Sequence, residues 1–318
     1  MNTTRARVAV VTGGGSGIGL AIAEALGDAG YVLVLAARGL ARLEEAAEKL
    51  RERGARVVCV RCDVTDASDV ALLARRAHAL AHGLASAGDG AHDEPLFGAP
   101  RSALERPRDS TGGGAIDVLV NDAGAVEVHD VLDARVEGRD VYRDMLAVNH
   151  LGAVRVCEAF LPSMVEHGAG LVVNVASAAS VRAFPRIAAY TTAKHALLGW
   201  SRAAAMELAE RRAAQSLAGG PALVVLCPYY VRGEMLERAA AGLATDEGLT
   251  VDAARALFAA RNPGGALVEP RAIGALVVQL ADEAAREPGA VNGRVLVLDG
   301  GAPREVDPAR DHTDFQAT

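Results

Sequence analysis

The sequence predicts one doubly wound α/β domain built on a mainly parallel sheet, and three observations carry that prediction. Short apolar runs alternate with amphipathic stretches from residue 8 to residue 298. The first run, Val8-Ala-Val-Val11, leads directly into Thr12-Gly13-Gly-Gly-Ser16-Gly17-Ile18-Gly19, which reads as strand, glycine turn and helix start. A chain of 318 residues with 51% hydrophobic content is also long enough to bury a full core around such a sheet.

Taken in order, strand 8–11 is that first run, and helix 18–29 opens at the glycine turn. Strand 32–36 is Val32-Leu-Val-Leu-Ala36, and helix 40–53 follows with apolar positions at three- and four-residue spacing. Strand 56–61 lies in Arg56-Val-Val-Cys-Val-Arg61 and precedes helix 67–81. Strand 116–120, helix 139–166, strand 170–176 and helix 188–214 continue the alternation, and strand 222–226, helix 271–284 and strand 294–298 close it. Alternation of this kind favours parallel strands joined by right-handed crossovers. Residues 1–302 are therefore expected to form a single domain.

Segment 83–114 breaks the rhythm. It is rich in Gly and Pro with clustered charges, too long for an ordinary connection, and is expected to be a surface insertion. Segment 211–221 lengthens the link from the long helix to the next strand, and residues 303–318 form a polar C-terminal tail without an apolar stripe.

A net charge of −7, with both signs interspersed along the helices, argues against a nucleic-acid partner. The N-terminus enters the first strand without an apolar signal segment, and no run approaches the roughly 20 apolar residues of a membrane span. The expectation is a soluble, cytoplasmic protein with no membrane partner. Cys59 and Cys62 have C-x-x-C spacing, but positions i and i+3 of a strand point to opposite faces, so they make a poor zinc site. His78 and His82 lie one helical turn apart with no third ligand and read as a solvated helix face. No metal is expected.

The chemistry-bearing residues lie further along. Asn174-Val-Ala-Ser177 is followed thirteen residues later by Tyr190-Thr-Thr-Ala-Lys194. A phenol and an ammonium four residues apart share one helix face, and a hydroxyl from a preceding strand end can meet them there as a proton-transfer site. The glycine turn, for its part, permits close backbone approach to a phosphate at a helix N-terminus. Together the two motifs resemble those of the short-chain dehydrogenase/reductase family, in that family's order and separation.

The resemblance implies a Rossmann-like fold, a nicotinamide dinucleotide cofactor and a small-molecule substrate. It implies a tetrad of Asn149, Ser177, Tyr190 and Lys194. Tyr190 would exchange a proton with the substrate oxygen, assisted by the charge of Lys194, while Ser177 orients that oxygen and the Asn149 main-chain carbonyl holds a water. The cofactor would lie on Gly13, Ser16, Gly17, Ile18 and Gly19, with Asp63 and Val64 at the adenine, and Asn121 and Gly124 of Asn121-Asp-Ala-Gly124 lining the adenosine side. Tyr190, Lys194, Pro228 and Val231 would hold the nicotinamide half. Arg38 follows Ala37, where NAD-using relatives carry an acid; a guanidinium there suits a 2′-phosphate, so NADP is favoured over NAD.

The family's P-G-x-V-x-T appears here as Pro228-Tyr229-Tyr230-Val231-Arg232-Gly233, and Tyr229 and Tyr230 are expected to shape the substrate pocket. Asp122 replaces the second Asn of N-N-A-G, with only a local change expected. His195 diverges from the Tyr190 and Lys194 face and reads as a packing residue. Residues 232–270 correspond to the variable substrate lid, which loosely resembles that of 3-oxoacyl and polyketide ketoreductases and 3-hydroxyacyl dehydrogenases. The leading expectation is an NADP-dependent enzyme reducing a ketone of an acyl or secondary-metabolite intermediate, or oxidising the matching alcohol. A non-redox cyclase, dehydratase or isomerase on the same scaffold, and a cofactor-sensing binding protein, are the alternatives. Ala-rich faces on helices 139–166 and 188–214 are compatible with a homo-oligomer, dimer or tetramer.

Overall fold

The structure is a computed structural model and describes residues 5–87, 115–133, 135–136, 138–214 and 219–306. In chain order the elements are β1 (Val8–Thr12), α1 (Gly17–Asp28), β2 (Val32–Ala37), α2 (Leu40–Glu52), β3 (Val57–Arg61), α3 (Ala67–Ala87) and β4 (Val118–Asn121). The two-residue strands β5 (Arg135–Val136) and β6 (Arg139–Asp140) pair with each other, followed by α4 (Val141–Leu146), a π-helical turn over Ala147–Leu151 and α5 (Gly152–His167). Then come β7 (Leu171–Val175), a 3₁₀ turn over Ala178–Ser180, α6 (Ala188–Ala214), β8 (Ala222–Pro228), α7 (Glu234–Glu247), α8 (Val251–Ala260), α9 (Pro270–Arg286), α10 (Pro288–Val291), β9 (Val295–Leu298) and β10 (Arg304–Glu305).

The main sheet runs β3-β2-β1-β4-β7-β8-β9-β10. All neighbours are parallel except β10 on β9. The strands are apolar along their length because both faces are covered. Val8 and Val10 face a layer built from α3, α5 and α6, including Leu73, Phe160 and Leu197. Ala9 and Val11 face the opposite layer of α1, α2 and α9, including Ile22, Leu43 and Val277. Cys59 and Cys62 fall into opposite layers, both buried thiols. Chain order reverses direction across the sheet between β1 and β4, which opens a crevice at the strands' carboxyl ends.

Three expectations change on contact with the structure. Helix 67–81 continues to Ala87 because Leu84 still packs on the α3 side of the core, so the first residues of the expected insertion are helical. The remainder, 88–114, lies outside the described residues. Helix 139–166 is two helices around a π turn: Asp140 caps α4 by accepting the Arg143 amide, and the extra residue per turn falls at Ala147–Leu151. The polar tail begins as structure, since Arg304 and Glu305 pair with β9 and Val306 is buried against the sheet. The sheet edge at β9 needs a partner for its backbone groups, and residues 304–306 supply one. Residues 307–318, like 215–218 of the lengthened link, are outside the described residues.

Helices α1 and α9 pack so closely that a Cβ on Gly274 would stand 2.5 Å from the Ala21 carbonyl oxygen. Gly274→Ala therefore forces a backbone shift and is expected to cost about 1–3 kcal/mol of stability, read from urea unfolding against wild type.

Candidate active site

The glycine turn connects β1 to α1 at the crevice. Gly13 and Gly17 adopt positive φ, +74° and +56°, which β-carbon-bearing residues resist. Gly19 is needed for a different reason: an added Cβ would lie 2.5 Å from the Gly13 carbonyl oxygen and 2.8 Å from an Asp122 carboxylate oxygen. Ser16 stands at the N-cap of α1 in extended conformation, and its side chain makes no capping bond, which leaves first-turn amides such as that of Ile18 open to an approaching anion. A diphosphate fits this cradle of close-approaching backbone and free amides.

Arg38 is exposed just past β2 and lies near Asp63, just past β3. Burial acts to raise the Asp63 carboxyl, but hydrogen bonds from the Thr65 hydroxyl and amide at 2.7 and 2.9 Å and the Arg38 charge outweigh it, so its pKa falls below the ordinary value. Val64 is buried; its side chain abuts Gly152 and its carbonyl accepts from Arg155 at 2.7 Å.

Beneath the crevice floor the polar groups form a chain. Asn121 donates to the side chain of Asn174 at 2.8 Å, and Asn174 donates to the Ser201 hydroxyl at 2.8 Å, which bonds the Leu197 carbonyl at 2.7 Å. This chain ties the ends of β4 and β7 to α6. Asn149, on the π turn, grips the loop after β4 from above. Its amide donates to the Ala125 carbonyl at 2.8 Å and to the Met145 carbonyl at 3.2 Å, and its oxygen accepts the Ala125 amide at 3.2 Å. The extra residue in the π turn aims this side chain at the loop. The same Asn149 oxygen would lie 2.7 Å from a Cβ on Gly124, and Lys194 Nζ 3.8 Å from it.

Ser177, Tyr190 and Lys194 come together as expected. Ser177 caps the 3₁₀ turn, its hydroxyl oxygen accepting the Ala179 amide at 3.1 Å, and it hydrogen-bonds the Tyr190 phenol. Lys194 Nζ donates to the Val175 carbonyl at 2.9 Å and sits 5.7 Å from the Tyr190 ring centre. Its pKa is pushed down by burial to about 8, against the opposing pull of Asp122 and the Cys227 thiol. The Tyr190 phenol is pushed up by burial to about 12; the Ser177 bond lowers it, while Asp122 and Cys227 raise it further. Desolvation is the largest of these effects and leaves the phenol above its ordinary value.

Asp122 accounts for part of this balance. Burial raises its carboxyl to about 7, despite the lowering effects of Lys194 and of a hydrogen bond from the Gly19 amide. The Thr12 hydroxyl oxygen accepts the Asp122 and Ala123 amides at 3.2 and 3.3 Å, fixing the loop under the glycine turn. The change at the second position of N-N-A-G therefore reaches both ends of the crevice. Its only sequence signal was the substitution itself.

The loop after β8 is held on every side. The Tyr229 amide donates to Leu298, and the buried Asn262 accepts the Tyr230 amide and donates to the Tyr230 carbonyl, each at 3.0 Å. Val231 bridges Val268. Tyr229 and Tyr230 each meet Phe184 edge-on, with ring centres 6.3 and 6.4 Å apart, and Tyr230 packs on Phe258 of the lid at 4.9 Å. Phe184, Phe258 and Asn262 carry no motif, which is why sequence reasoning passed over them. Of the lid arginines, Arg232 pairs with Glu269, and Arg255 with Glu237 and Asp252. His195 is exposed, one ring nitrogen on the Thr191 carbonyl, away from the tetrad. His78 is half-buried against Phe160 and near the Ser163 hydroxyl, so that helix face is more packed than expected.

The model of the short chain dehydrogenase family matches residues 7–85 and 102–242. The chain is a short-chain dehydrogenase/reductase. The gap in that match falls within the expected insertion. Among curated relatives, the chain is 30% identical over 296 residues to a D-beta-hydroxybutyrate dehydrogenase of Cupriavidus necator, covering 93% of this chain and 97% of the relative. It is 32% identical over 297 residues to the 2-(R)-hydroxypropyl-CoM dehydrogenase of Xanthobacter autotrophicus, covering 92% and 97%. Among solved structures, a single-substitution variant of the actinorhodin polyketide ketoreductase with NADPH superimposes with a TM-score of 0.72 at 27% identity, covering 93% of this chain and 97% of that one. This short-chain dehydrogenase/reductase is thus an NAD(P)-dependent oxidoreductase whose relatives include hydroxy dehydrogenases and keto reductases. Among its described residues no helix is long and apolar enough to cross a membrane.

Asn174 is wholly buried and bridges two partners, so Asn174→Ala leaves the Asn121 amide with only the Cys157 sulfur and the Ser201 hydroxyl with only the Leu197 carbonyl. The expected loss is roughly 2–4 kcal/mol of folding stability, measured by denaturant unfolding.

Proposed function

We propose that this short-chain dehydrogenase/reductase is an NADP(H)-dependent enzyme that reduces the ketone of an acyl or secondary-metabolite intermediate, or oxidises the corresponding secondary alcohol. The observation that carries this reading is the meeting of Ser177, Tyr190 and Lys194 at the mouth of a crevice whose other end is the glycine turn.

In this reading the amides around Gly13, Ser16, Gly17, Ile18 and Gly19 hold the diphosphate, and Arg38 pairs with the 2′-phosphate. Asp63 and Val64 border the adenine, Asn121 and Gly124 shape the adenosine wall, and Pro228 and Val231 carry the nicotinamide side. Chemistry supplied by the bound cofactor is hydride transfer to or from the carbinol carbon. The chain's own groups handle the proton. Ser177 donates to the substrate oxygen and orients it, and Tyr190, protonated at neutral pH, gives its proton to that oxygen during reduction. Lys194 stabilises the resulting phenolate charge and binds the ribose. Asn149 holds the loop and the lysine's surroundings in register.

The substrate side is lined by Phe184, Tyr229 and Tyr230, with Phe258 behind them, in a chain with only 3% aromatic residues. Such a wall suits a ketone borne on a flat or bulky apolar body. Exposed Leu151 and Met206, at the end of the π turn and on α6, suit packing against further copies of the chain as a dimer or tetramer.

Absorbance at the NADPH band against a panel of 3-oxoacyl thioesters and cyclic ketones tests the reading. Tyr190→Phe is expected to lower kcat by roughly 10²- to 10⁴-fold with cofactor affinity retained. NADPH consumption unaffected by that change, or none with any ketone, would count against a reductase built on this tetrad. Arg38→Ala should weaken NADPH binding by about tenfold while leaving NADH nearly unchanged, as read by fluorescence titration; equal losses for both cofactors would remove the assignment of Arg38 to the 2′-phosphate.

A further inference from the structure

Asp122 places a carboxylate beside the first turn of α1. Its oxygen lies 2.8 Å from where a Cβ on Gly19 would stand, and it accepts the Gly19 amide on the first turn of α1. That amide belongs to the set that makes the turn attractive to phosphate. The acid therefore sits as a resident anion against the seat proposed for the cofactor's diphosphate. On its other side it feels Lys194 and acts on Tyr190.

We propose that Asp122 is a positioning residue of the cofactor site, whose carboxyl takes up a proton when a dinucleotide diphosphate docks on the glycine turn, linking cofactor binding to the protonation of this one side chain. The proposal rests on the dinucleotide reading given above. Two anions sharing one helix N-terminus repel each other, and the covalent phosphates cannot be neutralised at neutral pH, so the carboxyl is the partner that yields.

The neighbours set the range in which this operates. From β1 the Thr12 hydroxyl faces the loop, from α1 only backbone amides, and from the π turn the neutral Asn149. Lys194 and Tyr190 face it from α6, with the Cys227 thiol of β8 beside them. Tyr190 and Cys227 are both pushed up to about 12 and stay protonated, and burial lowers His150 on the π turn below its ordinary value. Asp122 at about 7 and Lys194 at about 8 are then the groups that titrate between roughly pH 6.5 and 8.5. Below its pKa Asp122 is neutral and accommodates the diphosphate; above it the proton must be taken from solvent. Affinity is therefore highest at the acid end and declines as pH rises past about 7, with a limiting slope of about tenfold per unit. Replacement of Asp122 by Asn keeps the shape and removes the charge.

The test is calorimetric titration of the full chain with NADPH from pH 6 to 8.5, in phosphate and in Tris, for wild type, Asp122→Asn and Lys194→Met. The ionisation of the cofactor's own phosphates is common to all three proteins, so differences between them report on the chain. Wild type should take up a fraction of a proton per NADPH bound at pH 7.5 and weaken with pH. Asp122→Asn should lose that uptake and bind several-fold more tightly than wild type at pH 8.5, with little difference at pH 6. Lys194→Met should keep an uptake but move it to higher pH, because loss of the ammonium raises the Asp122 carboxyl further. Loss of uptake in Lys194→Met with retention in Asp122→Asn would assign the proton to the lysine and overturn the proposal, as would identical pH dependence in all three. Failure of the wild-type chain to bind either NADPH or NADH would instead overturn the dinucleotide reading, and this inference with it.

Discussion

The arrangement depends on keeping a lysine ammonium buried. Lys194 is 5% exposed at the carboxyl ends of the central strands, where an isolated charge is strongly disfavoured. Its burial is tolerated because the strand end at Val175 presents a carbonyl, and because Asp122 stands close enough to oppose the desolvation. Both depend on the sheet. Val175 closes β7 between β4 and β8, and Asp122 follows β4 directly, so the parallel register of those strands delivers a carbonyl and a carboxylate to the same end. The remaining polar groups keep that end in place. Asn121, Asn174 and Ser201 lock the floor, and Asn149 locks the loop.

This constraint also explains the π turn. Removing one residue from a helix rotates everything beyond it by about 100°, so an uninterrupted α-helix through residues 141–167 could not serve its partners at both ends. One extra residue per turn at Ala147–Leu151 lets Asn149 reach the Ala125 backbone while α5 still buries Val156, Phe160 and Met164 against the sheet. Glycine at 124 completes the fit, since any side chain there would displace the Asn149 oxygen.

Much of this was legible in the sequence, for identifiable reasons. Strands covered on both faces are apolar runs, and β1, β2, β7 and β8 stood out for that reason. Ser177, Tyr190, Lys194 and the glycine turn were legible because they match the family's motifs in residue type and spacing. The π turn was not, because residues 139–166 are apolar enough to suit either helix type. The β10 strand was hidden in a polar tail: an edge strand buries little, and Val306 is a single apolar residue among charges. Phe184, Phe258 and Asn262 meet Tyr229 and Tyr230 only through tertiary packing, so no local pattern marks them.

The loop that departs most from the family's pattern illustrates how structure changes the meaning of a substitution. Tyr229 in place of glycine suggests a loosened nicotinamide wall, yet the backbone there is bonded to Leu298, Asn262 and Val268. A glycine in such a loop supplies freedom to turn; here Asn262, reaching from the lid, supplies three hydrogen bonds that hold Tyr230 and Ala266 together instead. The two tyrosines then gain a rigid seat from which their rings meet Phe184 and Phe258. A rigid loop backbone and an aromatic cluster thus come from one set of changes, and residues 232–270 are tied to the loop through Asn262. A substitution at Asn262 therefore acts at once on the Tyr230 backbone of the loop after β8 and on Ala266.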